Sequence, residues 1–465
     1  MTSYTSDNVE KVDTAAYTAI AMILRRFGLC HKKLRQYLSC PVAGMSSQVS
    51  VRLLPSSRCL FDEAVLIKVR GLASEQRVDL TAKLTDDKGV LFKSSATYRA
   101  DLSGEIDLGS APALGGSYTG VEPMGLFWSL KPETPHAKLR KTDVLSPCFV
   151  DIEVRCSENR EQVLAKETNE RGFMTEGMRR VPVEDGRVRG ILFLPPGPGP
   201  FPGVVDMYTL GGGLSEIRAC LLAKQGFAVL SLAYYRYKDL PKLPKKFDLE
   251  YFEEAMMFLK RQPEVSESGL GILSISKSGD LAMSMASFLP GVSATVCINA
   301  CCANTMFPLH YKAMVIPPLN TDLTSVKVTE SGLLDVREVL VDPLAEENRG
   351  SLIPIERANC RFLFAVSGED RNWKSDYFAE KATKRLKDHG KESWEVVSYP
   401  EAGHFLDVPY MPHCGSGMHS AVGRVVVFGG DPCAHSKAQV DLWERIMCFF
   451  REHLDNGTSS QKAKL

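Results

Sequence analysis

The chain has 465 residues, 44% of them hydrophobic and 24% charged, and its 56 basic residues balance 56 acidic ones. That length holds more than one domain-sized core, the composition is that of an ordinary globular protein, and the neutral balance removes nucleic acid and anionic membrane surfaces as main partners. Thirteen cysteines with no C-x-x-C spacing argue against a disulfide framework and for a reducing compartment, and no apolar run reaches the roughly 18 residues that a transmembrane segment needs.

Residues 14–39 contain no acid and carry Arg25, Arg26, Lys32, Lys33 and Arg35, so residues 1–45 read as a leader that is helical or poorly ordered. Asp7, Glu10 and Asp13 ahead of that stretch argue against a mitochondrial presequence. From 46 to 160 the pattern alternates with period two, as in Val49-Ser50-Val51-Arg52-Leu53, Val78-Asp79-Leu80-Thr81-Ala82-Lys83-Leu84 and Val150-Asp151-Ile152-Glu153-Val154. Several short strands at this spacing predict an antiparallel β-sandwich. A polar stretch over 157–175, with Ser157, Glu158, Asn159, Arg160 and Glu161, reads as the domain junction.

Beyond it the period changes. A hairpin around Asp185-Gly186 leads to the stiff Pro195-Pro196-Gly197-Pro198-Gly199-Pro200, after which strands and helices alternate. Strands are predicted over 203–207, 227–232, 271–275, 294–298, 362–366 and 394–398, and helices over 215–225, 248–261, 279–289, 376–389 and 437–453. Residues 301–356 read as irregular. Continuous apolar strands separated by helices predict a parallel sheet covered on both faces, over 170–455.

The chemistry centres on Gly271-Ile272-Leu273-Ser274-Ile275-Ser276-Lys277-Ser278-Gly279. It reads as a strand, a tight turn and a helix with Ser276 at the apex, the nucleophile elbow of α/β-hydrolases, which lifts the hydroxyl clear of the sheet edge and aims the next N–H, that of Lys277, at an oxyanion. The glycines usual two residues before and after the serine are here Ser274 and Ser278. A serine hydroxyl needs a base and the base an orienting acid, in the chain order Ser, Asp or Glu, His. Strand 362–366 runs into Ser367-Gly368-Glu369-Asp370, and strand 394–398 runs into Tyr399-Pro400-Glu401-Ala402-Gly403-His404. Asp370 and His404 therefore complete the triad, with Glu369 as the other acid and His413, His419 and His435 as the other histidines on the right side of it. An ordinary turn aspartate and loop histidine are the bland reading. Thr209-Leu210-Gly211-Gly212-Gly213 supplies the second oxyanion donor, Gly211 or Gly212, because glycine lets backbone N–H groups approach a ligand closely.

These residues, together with Gly109-Ser110-Ala111-Pro112-Ala113-Leu114-Gly115-Gly116-Ser117, Glu122-Pro123-Met124-Gly125-Leu126, Leu249-Glu250-Tyr251-Phe252-Glu253-Glu254-Ala255-Met256 and Asn372-Trp373-Lys374-Ser375, resemble the type I acyl-CoA thioesterases and the related bile acid-CoA:amino acid N-acyltransferase from about residue 46 to 455. The resemblance implies an α/β fold in which a β-sandwich precedes an α/β-hydrolase domain. It also implies an acyl-CoA substrate, cleavage to a free acid and CoA at Ser276, Asp370 and His404, and no metal or other cofactor. The transferase members carry cysteine at the elbow, so serine favours water over glycine or taurine as acyl acceptor. A non-catalytic acyl-CoA binding protein is the alternative from another class.

Lys238, Lys242, Lys245 and Lys246 form either a solvated basic loop or a contact for CoA phosphates. The polar tail, 456–465, ends in Ala463-Lys464-Leu465, a variant of the tripeptide read by the peroxisomal import receptor. Peroxisomal location is the expectation, with cytosol or mitochondrial matrix as alternatives, and the oligomeric state is not legible.

Overall fold

The computed structural model describes residues 48–159 and 161–454, so the leader and the terminal tripeptide lie outside the described residues. Of the described residues, those from Val49 onward group as one compact unit.

Period-two alternation builds the first part. In the strand Arg77–Thr85, Leu80, Ala82 and Leu84 face inward, as do Val150, Ile152 and Val154 of Cys148–Cys156. A three-stranded sheet orders Ser50–Leu54, Leu66–Arg70 and Ile106–Asp107, and a seven-stranded sheet is centred on Cys148–Cys156, Arg77–Thr85 and Leu91–Arg99. All pairings are antiparallel except that of Arg58–Leu60 with Val163–Gly172.

That last strand corrects the reading of 157–175 as a polar junction. Val163–Gly172 turns back on Cys148–Cys156 and belongs to the seven-stranded sheet. It carries no apolar alternation because its buried positions are polar: Asn169 is fully buried and Arg171 is 1% exposed. The Arg171 guanidinium donates to the carbonyls of Phe61 at 2.5 Å and Glu63 at 2.7 Å, and to Asn169 Oδ1 at 3.0 Å. It also lies 4.8 Å from the Phe127 ring centre. A buried charge satisfied in this way reads as polar in sequence and as core in space.

The second part is an eight-stranded sheet. Its strands are β1 Arg179–Asp185, β2 Val188–Leu194, β3 Gly203–Met207, β4 Ala228–Ala233, β5 Leu270–Ile275, β6 Val292–Ile298, β7 Arg361–Ser367 and β8 Trp394–Tyr399, in the order β1-β2-β4-β3-β5-β6-β7-β8. The first two pairings are antiparallel and the rest parallel. β3, β4 and β5 are buried throughout, as strands covered on both faces must be. This is the α/β-hydrolase arrangement expected from the alternation of elements.

The helices are α1 Ile217–Lys224, α2 Leu249–Lys260, α3 Lys277–Phe288, α4 Ser375–Asp388 and α5 Pro432–Leu454. α1 and α5 cover one face of the sheet, in a core continuous with that of the sandwich. α2, α3 and α4 cover the other. α5 starts five residues before the expected 437 because Asp431 caps it, its Oδ1 accepting the Ala434 N–H at 2.9 Å, with Pro432 in the first turn.

The segment 301–356 is less irregular than its sequence suggests. Lys327–Val328 and Leu334–Asp335 join the hairpin Ser416–His419/Arg424–Val427 in a four-stranded sheet. Val336, Val426 and Phe428 form a small apolar core of their own there.

Candidate active site

Ser276 stands between β5 and α3 with φ 60° and ψ −129°, backbone angles that a non-glycine residue holds only when its surroundings enforce them. Its N–H donates to the Ile298 carbonyl at 2.8 Å. Lys277 is the first residue of α3, so its N–H has no partner within the helix. The two serines in place of glycines fit because each hydroxyl is bonded. Ser274 Oγ donates to the Val296 carbonyl at 2.6 Å, while Ser278 Oγ accepts the Ile275 N–H at 2.9 Å and donates to the Met207 carbonyl at 2.8 Å. The position that requires glycine is the next one. A Cβ on Gly279 would lie 2.3 Å from the Cβ of Ala300.

Asp370 follows β7 and His404 follows β8, and the fold brings both to Ser276. His404 Nδ1 is 2.7 Å from Asp370 Oδ2, and His404 Nε2 is 2.8 Å from Ser276 Oγ. Since the carboxylate accepts the Nδ1 proton, Nε2 is left to accept the serine proton. Asp370, fully buried, also accepts the Asn372 N–H at 2.8 Å, the Trp373 N–H at 3.3 Å and the Ser375 hydroxyl at 2.5 Å. Glu369, the other acid considered, pairs instead with Arg371 at 2.6 Å.

Two residues hold the histidine loop in place. Asn299 Nδ2 donates to the His404 carbonyl at 2.7 Å and to Ser367 Oγ at 3.0 Å, and its own carbonyl accepts the Trp373 indole N–H at 2.8 Å. His435, reaching in from α5, accepts the Gly403 N–H on Nδ1 at 3.1 Å and donates from Nε2 to the Phe405 carbonyl at 2.9 Å. His435 therefore clamps both neighbours of His404 in its neutral form. Burial, then the nearby His413, push its pKa down to about 3. His419 is lowered to about 4 by burial and by His404, and His413 is lowered by burial.

Ser276, Lys277 and His404 line a cavity of about 1020 Å³. One wall is apolar: Leu323, Val326, Leu334, Val336, Val339 and Leu340 come from the 301–356 segment, Met418 from the hairpin Ser416–His419/Arg424–Val427 and Phe428 from the residue after it. Thr209, Leu210 and Gly211 border the cavity beside Ser276. Gly212 is packed the other way, where a Cβ would meet the Tyr235 ring and the Arg236 Cβ at 2.8 Å, and the Gly213 N–H is taken by the Tyr235 carbonyl at 2.9 Å. Of the four loop lysines, Lys238 pairs with Glu184 and Lys246 with Asp248, and none of the four lines the cavity.

Beneath the elbow, the Lys277 ammonium donates to Asp280 at 2.7 and 2.9 Å, and Asp280 Oδ2 also accepts the Thr305 N–H at 2.9 Å and hydroxyl at 2.6 Å. Burial pulls the Lys277 pKa down and pushes the Asp280 pKa up, each opposed by the partner's charge. The pair ties the first turn of α3 to the segment after β6.

Comparison with known proteins decides the family. The description Acyl-CoA thioester hydrolase/BAAT N-terminal region matches residues 62–185, and BAAT / Acyl-CoA thioester hydrolase C terminal matches 247–456. Human acyl-coenzyme A thioesterase 2, mitochondrial, is 48% identical over 451 residues, covering 95% of this chain and 93% of the human protein. Human acyl-coenzyme A thioesterase 1 is 50% identical over 404 residues, 86% of this chain and 96% of that protein. Rat acyl-coenzyme A thioesterase 1 is 48% identical over 420 residues, 90% of this chain and 100% of the rat protein. The chain belongs to the acyl-CoA thioester hydrolase/BAAT family.

Within this family chain, several residues around the site escape a sequence reading. Asn299 and Ser375 are ordinary polar residues in sequence, and only strand adjacency places them. The cavity-lining hairpin has a local signal, the run Arg424-Val425-Val426-Val427-Phe428 after Gly423, whose φ of 67° makes the turn. Lys138 has none. It extends from the strap between the sandwich strands Lys131–Pro132 and Cys148–Cys156 to Asp407 at 2.8 Å, beside Tyr208, whose hydroxyl donates to the same carboxylate at 2.8 Å. No helix among the described residues is long and apolar enough to cross a membrane.

Proposed function

We propose that this chain is a serine hydrolase that cleaves fatty acyl-CoA to a free fatty acid and CoA. The observation that carries the reading is the hydrogen-bonded chain Ser276–His404–Asp370 at the base of a large cavity with one apolar wall, in a chain about half identical to proteins named acyl-coenzyme A thioesterases. The apolar wall suits an alkyl chain.

In the proposed mechanism His404 Nε2 takes the Ser276 proton as Oγ attacks the thioester carbonyl, and Asp370 stabilises the imidazolium. The oxyanion is met by the Lys277 N–H and by an N–H of the 209–212 loop, Gly211 rather than Gly212, since it is Gly211 that borders the cavity. Collapse expels CoA thiolate, which takes the proton from His404, and leaves an acyl-Ser276. Water, deprotonated by the same nitrogen, then attacks the ester, and the acid leaves as Oγ recovers the proton. The division of labour follows the two parts of the chain, a sandwich that runs on through the strand Val163–Gly172 and a catalytic part that begins with the strand Arg179–Asp185.

The test is thiol release from acyl-CoA by the wild type and by Ser276→Ala. The expected loss in kcat is at least about a thousandfold, and unchanged release in the variant would leave only a binding protein. Weighing the products with taurine present separates water from an amine as acceptor, since a dominant amide would make the chain a transferase.

For location, the terminal Ala463-Lys464-Leu465 supports delivery by the peroxisomal import receptor. Removing the tripeptide from a fluorescent fusion is expected to leave it outside peroxisomes. A fusion that is cytosolic or in the mitochondrial matrix even with the tripeptide in place, or import unchanged by the deletion, would overturn this reading; the human thioesterase 2 relative is named mitochondrial.

A further inference from the structure

Four cations from separate segments line the cavity that holds Ser276: Lys88, Arg140, Arg236 and Arg424. All four residues are exposed, and none pairs with a carboxylate among the described residues. In a chain whose basic and acidic residues number 56 each, four unneutralised cations around one opening form a local excess of positive charge. Their mutual repulsion is relieved when an anion enters, so the charge is held in readiness for one.

The surrounding structure fixes them there. Asp86, itself 7% exposed, gives its carboxylate to backbone: Oδ1 accepts the Lys88 N–H at 2.9 Å and the Val90 N–H at 2.8 Å, and Oδ2 accepts the Arg140 N–H at 3.0 Å. One buried carboxylate thus anchors the main chain at both cations. Arg236 has a φ of 55°, a left-handed conformation that costs a non-glycine residue energy, and its N–H donates to the Pro241 carbonyl at 2.7 Å. It adjoins the loop beside the elbow, close enough that a Cβ on Gly212 would lie 2.8 Å from its own Cβ. Arg424 faces His419 across the hairpin whose Met418 and Val422 also line the cavity.

We propose that these four side chains form the site for the phosphate groups of CoA. The inference rests on the thioesterase reading. A substrate with its thioester at Ser276 and its acyl chain against the apolar wall leaves its pantetheine arm to run outward, and the diphosphate and ribose phosphate then fall among the cations. Guanidinium forks and an ammonium are the groups that recognise phosphate oxygens. The assignment replaces the 238–246 lysine loop, which does not line the cavity, with residues from the sandwich part, the loop after β4 and the hairpin.

The test compares one acyl group on two thiols, CoA and pantetheine, the second lacking every phosphate. In a Lys88→Gln/Arg140→Gln/Arg236→Gln/Arg424→Gln variant, kcat/KM for the CoA thioester is expected to fall at least about tenfold, as four weakened rim ion pairs would give. The loss is confined to the phosphate-bearing substrate, which also shows that the variant folds. Raising the salt concentration should weaken wild-type hydrolysis of the CoA thioester and leave the pantetheine thioester unaffected. Equal changes on both substrates, or none on CoA, would overturn the assignment. If the wild type cleaves neither thioester, the hydrolase reading fails by itself, and titration with free CoA still reads the rim: wild-type binding that the variant loses supports it, and equal binding by the two refutes it.

Discussion

At the scale of single residues, the loop that carries His404 is held by a second histidine. His435 accepts from Gly403 and donates to Phe405, so His404 sits between two fixed backbone groups, and a proton on His435 Nδ1 would break the first of those bonds. Burial lowers the pKa of His413, His419 and His435 below their ordinary 6.5, to about 3 for His435 and about 4 for His419. The unfolded chain takes up these protons near pH 6.5 and the folded chain only well below it. Stability is therefore at its full value above that pH and falls as acid is added toward the folded values. His435 alone is expected to account for a loss of about 2–3 kcal/mol between pH 7 and pH 4.5. Urea denaturation of wild type and His435→Gln at the two pH values checks it, because the variant should lose distinctly less. Equal losses would show that His435 does not bind its proton only on unfolding.

Among elements, the contact that matters most is the strap carrying Lys138. It brings a cation from the sandwich part to Asp407, three residues after His404, and to Tyr208, at the start of the loop proposed to hold the oxyanion. Burial raises the Asp407 pKa, but the charge and hydrogen bond of Lys138, with Arg218 and Tyr208, hold it below the usual carboxylate range. Burial likewise lowers the Lys138 pKa, and Asp407 and Tyr208 more than reverse this. Both groups stay charged across the neutral range. Lys138→Met would leave a buried carboxylate without its cation, at an expected cost of about 3 kcal/mol, together with a fall in kcat as Tyr208 and Asp407 shift. Lys138→Arg should recover part of both. Chemical denaturation and steady-state kinetics on the two variants check this, and a Met variant of undiminished stability and kcat would remove the strap from the account.

For the whole molecule, the two parts are inseparable as a site. Sandwich residues such as Ile67, Leu80 and Val154 share one core with Phe193 and Val229 of the central sheet and with Leu442 and Phe450 of α5. The cavity draws its lining from both: Lys88 and Arg140 from the first part, Ser276 and His404 from the second. The hydrogen-bonded chain Ser276–His404–Asp370 needs only the sheet, whereas the pocket proposed to hold a substrate needs the sheet, the strap and the hairpin together.

Much of this was legible in the chain alone, because the signals are local. The elbow shows as an apolar strand breaking into small residues at Ser276, and Asp370 and His404 are the polar ends of consecutive apolar strands. Parallel strands with helical crossovers deliver such loops to one edge. The strands of the sandwich followed from period two wherever the inward residues were apolar. The strand Val163–Gly172 did not, since Asn169 and Arg171 are satisfied by partners about a hundred residues away, which no window of sequence contains. Asn299, His435 and Lys138 were illegible for the same reason, each acting through a hydrogen bond closed only by the packing of distant segments. The sequence by itself picked out Ser276, Asp370 and His404, which the structure brings into one hydrogen-bonded chain, and the sheet that presents them. The tertiary structure decided how the histidine is held, which residue of the glycine loop borders the cavity, and where the unpaired cations gather, because those depend on long-range contacts that exist only once the core has closed.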